Sequence, residues 1–274
     1  YPRDTHPDTV RDIAEALIEA GAKPHQIVVG DMSGRARGLP TRATMENLGL
    51  KAVADELGLQ LAYFEEEPWV RVKPHEADYW PDGLVIPRRI YDAERIIFTP
   101  ILRSHTTATF TCAMKLGVGL IDARSREWLH DGEHHICKLL DINSAYTVDL
   151  VVADALKMNT GYGTDAIDEV APGVIVAGGN MVACDAVAVA IMRHYGTVRV
   201  VDKPVKAHDQ FLQAQRIKLG SPNLRDINLK TLDLAGDEGF RELVSYVEAE
   251  LEDWLPPALS SGLVMHSFRP RDGR

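Results

Sequence analysis

The sequence predicts an α/β fold: a mostly parallel sheet covered by helices, with a site at the carboxyl ends of the strands. Three observations carry this expectation. Segments with helical spacing alternate with short apolar runs bounded by glycine, the rhythm of βαβ proteins. The chain has 274 residues and is 45% hydrophobic, enough for one large core. Polar and ionisable residues gather just after the strand candidates, where open α/β sheets collect their ligands.

The elements follow in chain order. Asp8–Ala20 carries Val10, Ile13, Ala14, Leu17 and Ile18 at helical spacing, and Gly21 is placed to end that helix. Gln26–Gly30 reads as a short buried parallel strand, Thr44–Leu57 as a second helix and Leu59–Phe64 as a strand. An excursion over 65–90 follows, either a hairpin or a solvated loop. Arg95–Leu102, Leu150–Asp154 and Gly173–Ala177 are further strands. Ala183–Tyr195, rich in Ala and Val, reads as a helix buried on most sides. Ala207–Leu219 and Glu238–Trp254 are the last helices. Residues 1–235 are assigned to one α/β domain and 236–274 to a C-terminal helix and tail.

A net charge of −10 and a pI near 5.5 argue against a nucleic-acid partner, because phosphate backbones reward basic patches. No apolar run approaches the roughly 20 residues of a membrane span, and no signal-peptide pattern stands at the start, so no membrane partner is expected. Cys112, Cys137 and Cys184 are odd in number, widely spaced and outside any CxxC. They favour a reducing, cytoplasmic setting and give no support for a zinc ribbon or a chain-borne iron–sulfur cluster. What precedes Tyr1 and whether the chain forms a homo-oligomer stay open.

Four strand ends are expected to deliver functional groups to one face. Asp31, Arg37 and Arg42 follow the first strand, and Arg103, Ser104, His105 and Thr106 follow the third. Asp154, Lys157 and Asn159 follow the fourth, and Gly178, Gly179 and Asn180 the fifth. The stretch RSHTTATFTCAMKLGVGLIDARSREWLH is the most informative. His105 and His130 are acid–base candidates because imidazole titrates near working pH. Lys115 can act as nucleophile, base or anion clamp once burial lowers its pKa. Arg103, Arg37 and Arg42 offer bidentate contacts to an anion, with Ser104 and Thr106 beside them. Gly179 and Asn180 could present backbone N–H groups to an anion at a helix start. His130, His134 and His135 crowd together as a candidate metal triad. A plainer alternative has His105 bonding a loop and Lys115 on the surface. Asp185, an acid within the Ala/Val helix, needs a buried partner.

These stretches resemble the Domain of Unknown Function 362 family over about residues 5–230. THPDTVRDIAEALIEAGA with IVVGD looks like the family's first helix and strand. IIFTPILRSHTTATFTCAMKLGVGLI is similar to its P-K-L-K-T-H … K-N-L-x-G segment, and VIVAGGNMVACDAVAVAIM to its later helix. Arg103 stands where Lys is usual, Leu116 where Asn is usual and Asn180 where Asp is usual, and no ferredoxin-type cysteines follow. A more distant resemblance in layout is to nickel-pincer lactate racemases. It implies that His105 acts on an α-proton, Lys115 holds the pincer and His130 ligates nickel. The GDMSGRARG stretch lacks the histidine that such enzymes carry there.

The expected function is an enzyme acting on a small anionic metabolite, a carboxylate, by acid–base chemistry of an isomerase, racemase or lyase type. A divalent transition metal (nickel, zinc or iron) is a candidate cofactor. The alternative is a non-catalytic metal- or metabolite-binding protein or a redox partner.

Overall fold

The structure, a computed structural model, describes residues 4–32, 40–162, 168–219 and 227–252, together with the backbone of 261–267. The expected α/β class is what it shows. The main sheet is built from β5 (Ile97–Phe98), β6 (Ile101–His105), β7 (Thr109–Thr111), β8 (Leu150–Asn159), β9 (Glu169–Val170), β10 (Val174–Gly178), β11 (Ile227–Leu232) and β12 (Ser261–Ser267). Its main path runs β11-β12-β10-β8-β6-β7, with β5 and β9 also on β8. β5 and β6 run parallel to β8, and β11 parallel to β12. β7 on β6, β9 on β8, and β10 on both of its neighbours are antiparallel.

The break between β5 and β6 falls at Thr99-Pro100, since proline cannot donate to a ladder. Asp154 N–H uses the Pro100 carbonyl instead, at 2.8 Å. β8 continues well past the predicted end at Asp154. That carboxylate lies inside the sheet and accepts from His6 N–H at 2.9 Å and Thr9 Oγ1 at 3.0 Å. It thereby ties down the start of α1 (Pro7–Glu19). Gly21, at φ 102°, stops that helix as expected.

β1 (Val28–Asp31) pairs in parallel with β2 (Gln60–Tyr63) as a separate two-stranded sheet, half-buried rather than core. The single helix expected over Thr44–Leu57 is two, α2 (Thr41–Asn47) and α3 (Leu50–Leu57). Gly49 turns the chain between them at φ 88°, a conformation that only glycine adopts cheaply. The 65–90 excursion contains an antiparallel hairpin of β3 (Trp69–Val72) and β4 (Leu84–Pro87), followed by α4 (Arg88–Tyr91). It is packed rather than solvated: Trp80 is buried and donates Nε1–H to the Lys138 carbonyl at 2.9 Å.

The helix predicted over Ala183–Tyr195 is α8 (Met181–His194), buried from Met181 through Met192. It lies between the sheet and α10 (Glu238–Glu252), whose Phe240, Leu243, Val247 and Leu251 are buried. α9 (Asp209–Arg216) buries Phe211, which stacks on Phe110 at 5.7 Å. The residues after 235 thus supply a covering helix and an interior strand to the same sheet. Among the described residues no helix is long and apolar enough to cross a membrane.

Candidate functional site

Strand alternation sends Arg103 and His105 to one face of β6 and Ser104 to the other. Ser104 is buried and donates its hydroxyl to the Gly161 carbonyl. It serves the fold. Beyond β6 the chain turns back into β7, and that turn closes on the imidazole: Thr107 N–H and Ala108 N–H donate to His105 Nδ1 at 3.2 and 3.1 Å. An imidazole nitrogen that accepts two N–H groups carries no proton, so the neutral ring has its hydrogen on Nε2. Burial, then Lys115 and Arg103, push the His105 pKa down to about 3.

The turn is held from three sides. Thr109 adopts φ 69°, costly for a β-branched residue. Gln210 Nε2 donates to the Ala108 and Phe110 carbonyls at 2.8 and 3.0 Å, and the Arg199 guanidinium donates to the Thr106 carbonyl. Thr106 itself is exposed.

Lys115 stands on a short helix, α5 (Ala113–Leu116). Asp185, buried in α8, caps that helix by accepting from Ala113 N–H at 2.7 Å and Met114 N–H at 3.0 Å. The partner required for that acid is therefore the backbone that carries Lys115. Burial pushes Asp185 up to about 7, against these N–H groups and the Cys112 thiol. On the far side, Gly117 packs under Tyr146: a Cβ there would lie 2.2 Å from the phenol oxygen. Gly117 is a packing glycine. Lys115 is half-buried and makes no hydrogen bond or ion pair among the described residues. Burial, then Arg103 and Arg126, lower its pKa to about 7.

α6 (Ala123–His130) begins at Asp122, whose carboxylate accepts from Ser125 N–H at 2.9 Å. The i, i+4 spacing puts Arg126 and His130 on one face. Arg126 Nε donates to the Val118 carbonyl at 2.9 Å and an Nη to the Met32 carbonyl at 3.4 Å. It joins α6 to the end of β1, where Asp31 lies 3.7 Å from a Cβ placed on Gly119. Asp31 keeps access to solvent, yet crowding by protein pushes its pKa up to about 6.

α7 (His135–Asp141) returns beside α6. Lys138 draws the loop between them shut, donating to the Trp128 and Asp131 carbonyls at 3.0 and 2.7 Å from above the Trp128 ring. His130 and His135 end with ring centroids 5.3 Å apart. Each donates Nδ1–H to a backbone carbonyl, that of Arg126 at 2.7 Å and of Leu129 at 3.1 Å. The neutral rings therefore keep Nε2 bare, as in histidines poised for a metal or a proton. His135 Nε2 is buried without a hydrogen-bond partner among the described residues, and burial lowers that ring's pKa.

His105 thus lies within electrostatic reach of Lys115, Arg103, His130 and His135, and Lys115 within reach of Arg103 and Arg126. Other expectations are corrected. The metal triad does not form: His134 stacks 5.0 Å from Tyr79 and lies 3.8 Å from Glu133. Among the described residues no three His, Cys, Asp or Glu side chains are grouped to hold a metal ion. Arg42 is exposed, bonded to Glu66 at 2.8 and 2.5 Å and lying over Tyr63. Lys157 pairs with Glu169 at 2.7 Å. Gly179 and Asn180 lie at the other end of the sheet, because β10 runs antiparallel to β8 and Gly178 pairs with Val151. That is on the order of 25 Å along β8 from Asn159, which faces Arg103. Asn180 caps α8, accepting from Val182 and Ala183 N–H at 3.0 and 3.1 Å. Arg37 lies outside the described residues.

A family model described as "Domain of unknown function (DUF362)" matches residues 2–190, so it spans the whole His105–His135 cluster. The chain belongs to the DUF362 family. It is similar to the "Thylakoid-associated protein sll1697" of Synechocystis sp. (strain PCC 6803), with 26% identity over 196 residues. That match takes in 69% of this chain and 57% of the relative, so the chain spans little more than half of the relative's length. No solved structure matches.

Proposed function

We propose that this DUF362 protein is an enzyme that binds a small carboxylate and moves protons on it by acid–base chemistry of an isomerase or lyase type. One observation carries the reading: a histidine fixed in its Nε2–H form lies within electrostatic reach of a half-buried lysine that has no counter-ion among the described residues. A half-buried ammonium that makes no ion pair among the described residues favours an anion, and a site crowded by protein strengthens that attraction. Arg103 and Lys115 would hold the carboxylate. His105, too weak a base to take a proton, would donate Nε2–H to an oxygen gaining charge, the part a neutral imidazole plays in an oxyanion site. Bare Nε2 atoms on His130 and His135 would receive and return the substrate proton.

The test is deuterium exchange. Small carboxylates incubated with the protein in D2O should exchange the C2 hydrogen of 2-hydroxy acids or the C3 hydrogens of 2-oxo acids, followed by proton NMR. His105→Ala and Lys115→Met should lower the exchange rate by about a hundredfold or more. Binding of carboxylates without exchange would replace the enzyme with a metabolite-binding protein, and loss of neither binding nor exchange in both variants would remove the cluster from the function.

A further inference from the structure

We propose that Lys115 is a covalent nucleophile that traps the carbonyl carbon of a small 2-oxo carboxylate as an imine. This rests on the anion-binding reading above and narrows its ligand class. Three features of the geometry point to it. First, the ε-amine is half-buried and unpartnered among the described residues, whereas lysines withdrawn from solvent are normally paired. Second, the titratable groups within electrostatic reach of it are Arg103, His105, Arg126 and His135, contributed by β6, α6 and α7, and none of them is a carboxylate. Such surroundings favour the neutral, nucleophilic amine, in keeping with its lowered pKa. Third, α5 is anchored at both ends, by Asp185 beneath its start and by Gly117 against Tyr146. A helix fixed at both ends gives the side chain a better-defined approach.

The chemistry balances with residues in place. The neutral Nζ donates its lone pair to the ketone carbon, and the carbonyl π electrons move onto oxygen, to which His105 Nε2–H donates a hydrogen bond. A bare imidazole nitrogen of His130 or His135 takes a proton from nitrogen. It passes that proton to the alkoxide oxygen to give the carbinolamine, then carries the second nitrogen proton to the hydroxyl, which leaves as water while the C=N bond forms. Nothing is oxidised or reduced. The imine would then act as electron sink for proton removal at the adjacent carbon.

The full-length protein would be incubated with pyruvate near pH 7.5 and reduced with sodium borohydride, and adducts located by intact mass and peptide mapping. The expected result is one adduct on Lys115, heavier by the mass of pyruvic acid less one oxygen atom. It should be at least about tenfold more abundant than on exposed Lys51, which is bonded to Asp55, because an ordinary lysine stays protonated at that pH. Excess acetate, which has the carboxylate without the ketone, should suppress it. Labelling of Lys115 no stronger than that of Lys51 would overturn the proposal, a comparison made within one protein that needs no variant to fold. If acetate still binds while Lys115 stays unlabelled, the imine alone is wrong. If acetate does not bind either, the carboxylate site falls with it. Lys115→Arg, which cannot form the imine, should lose the adduct.

Discussion

His105 shows how a single residue's role follows from what its backbone does. Its Nδ1 is occupied by two N–H groups of its own turn, so the ring serves as a donor. We expect the imidazole to stay neutral from pH 4 to pH 8 and to show the Nε2–H tautomer in long-range proton–nitrogen NMR. A titration near the ordinary value of about 6.5 would defeat that assignment. Asp185 gives a second prediction at this scale. Its pKa is raised from 3.8 to about 7. Between those values the folded protein holds a proton that the unfolded chain has released, so stability falls as pH rises through about 4 to 7 and levels above. Asp185→Asn removes that slope and turns an amide NH2 toward a backbone N–H, at a cost of about 1–3 kcal/mol. Urea midpoints at pH 5 and pH 8 test it: wild type and variant should differ in pH dependence, and parallel profiles would defeat the claim.

At the scale of elements, two glycine and cap positions separate packing from site. Gly117→Ala sets a Cβ 2.2 Å from the Tyr146 oxygen. It must break the chain of bonds from Tyr146 to Asn143 and on to the Met114 carbonyl. A loss of about 1–3 kcal/mol is expected, read as a lower thermal midpoint, and carboxylate binding should weaken with it because Lys115 rides on the same helix. Asn180→Ala removes the α8 cap for about 1 kcal/mol and should leave carboxylate binding unchanged, a contrast measurable by calorimetry. The amphipathic helices α1 and α10 and the Ala/Val-rich α8 were legible in the sequence within a residue or two, and so were the cores of β8 and β10. Strand direction was not. Alternating apolar residues look the same in either direction, and the antiparallel run of β10 carried Gly179 and Asn180 away from His105. The helices α5, α6 and α7 were also missed, being too short for a period to show. Their positions depend on contacts distant in sequence, such as Asp185 with Ala113. Gln210 and Arg199, which hold the His105 turn, left no signal in the sequence at all.

At the scale of the whole molecule, the assumed boundary after residue 235 gives way to a sheet whose strands come from both sides of it. β12 lies inside that sheet, with Met265 paired to Val176 on one side and Thr231 on the other. Met265→Pro removes an interior N–H and should cost about 3 kcal/mol or more, detected as a lost cooperative unfolding transition in circular dichroism. An unchanged transition would mean that the strand contributes little. The same arrangement sets an order of events during synthesis. β10 leaves the ribosome with one edge finished by β8 and the other bare, and some eighty residues must follow before Ser261–Ser267 arrive to cover it. Through that interval the nascent chain offers an open strand edge to whatever is nearby. Expression yield should therefore depend on translation pace and chaperone supply across residues 179–267 more than on any property of the finished fold.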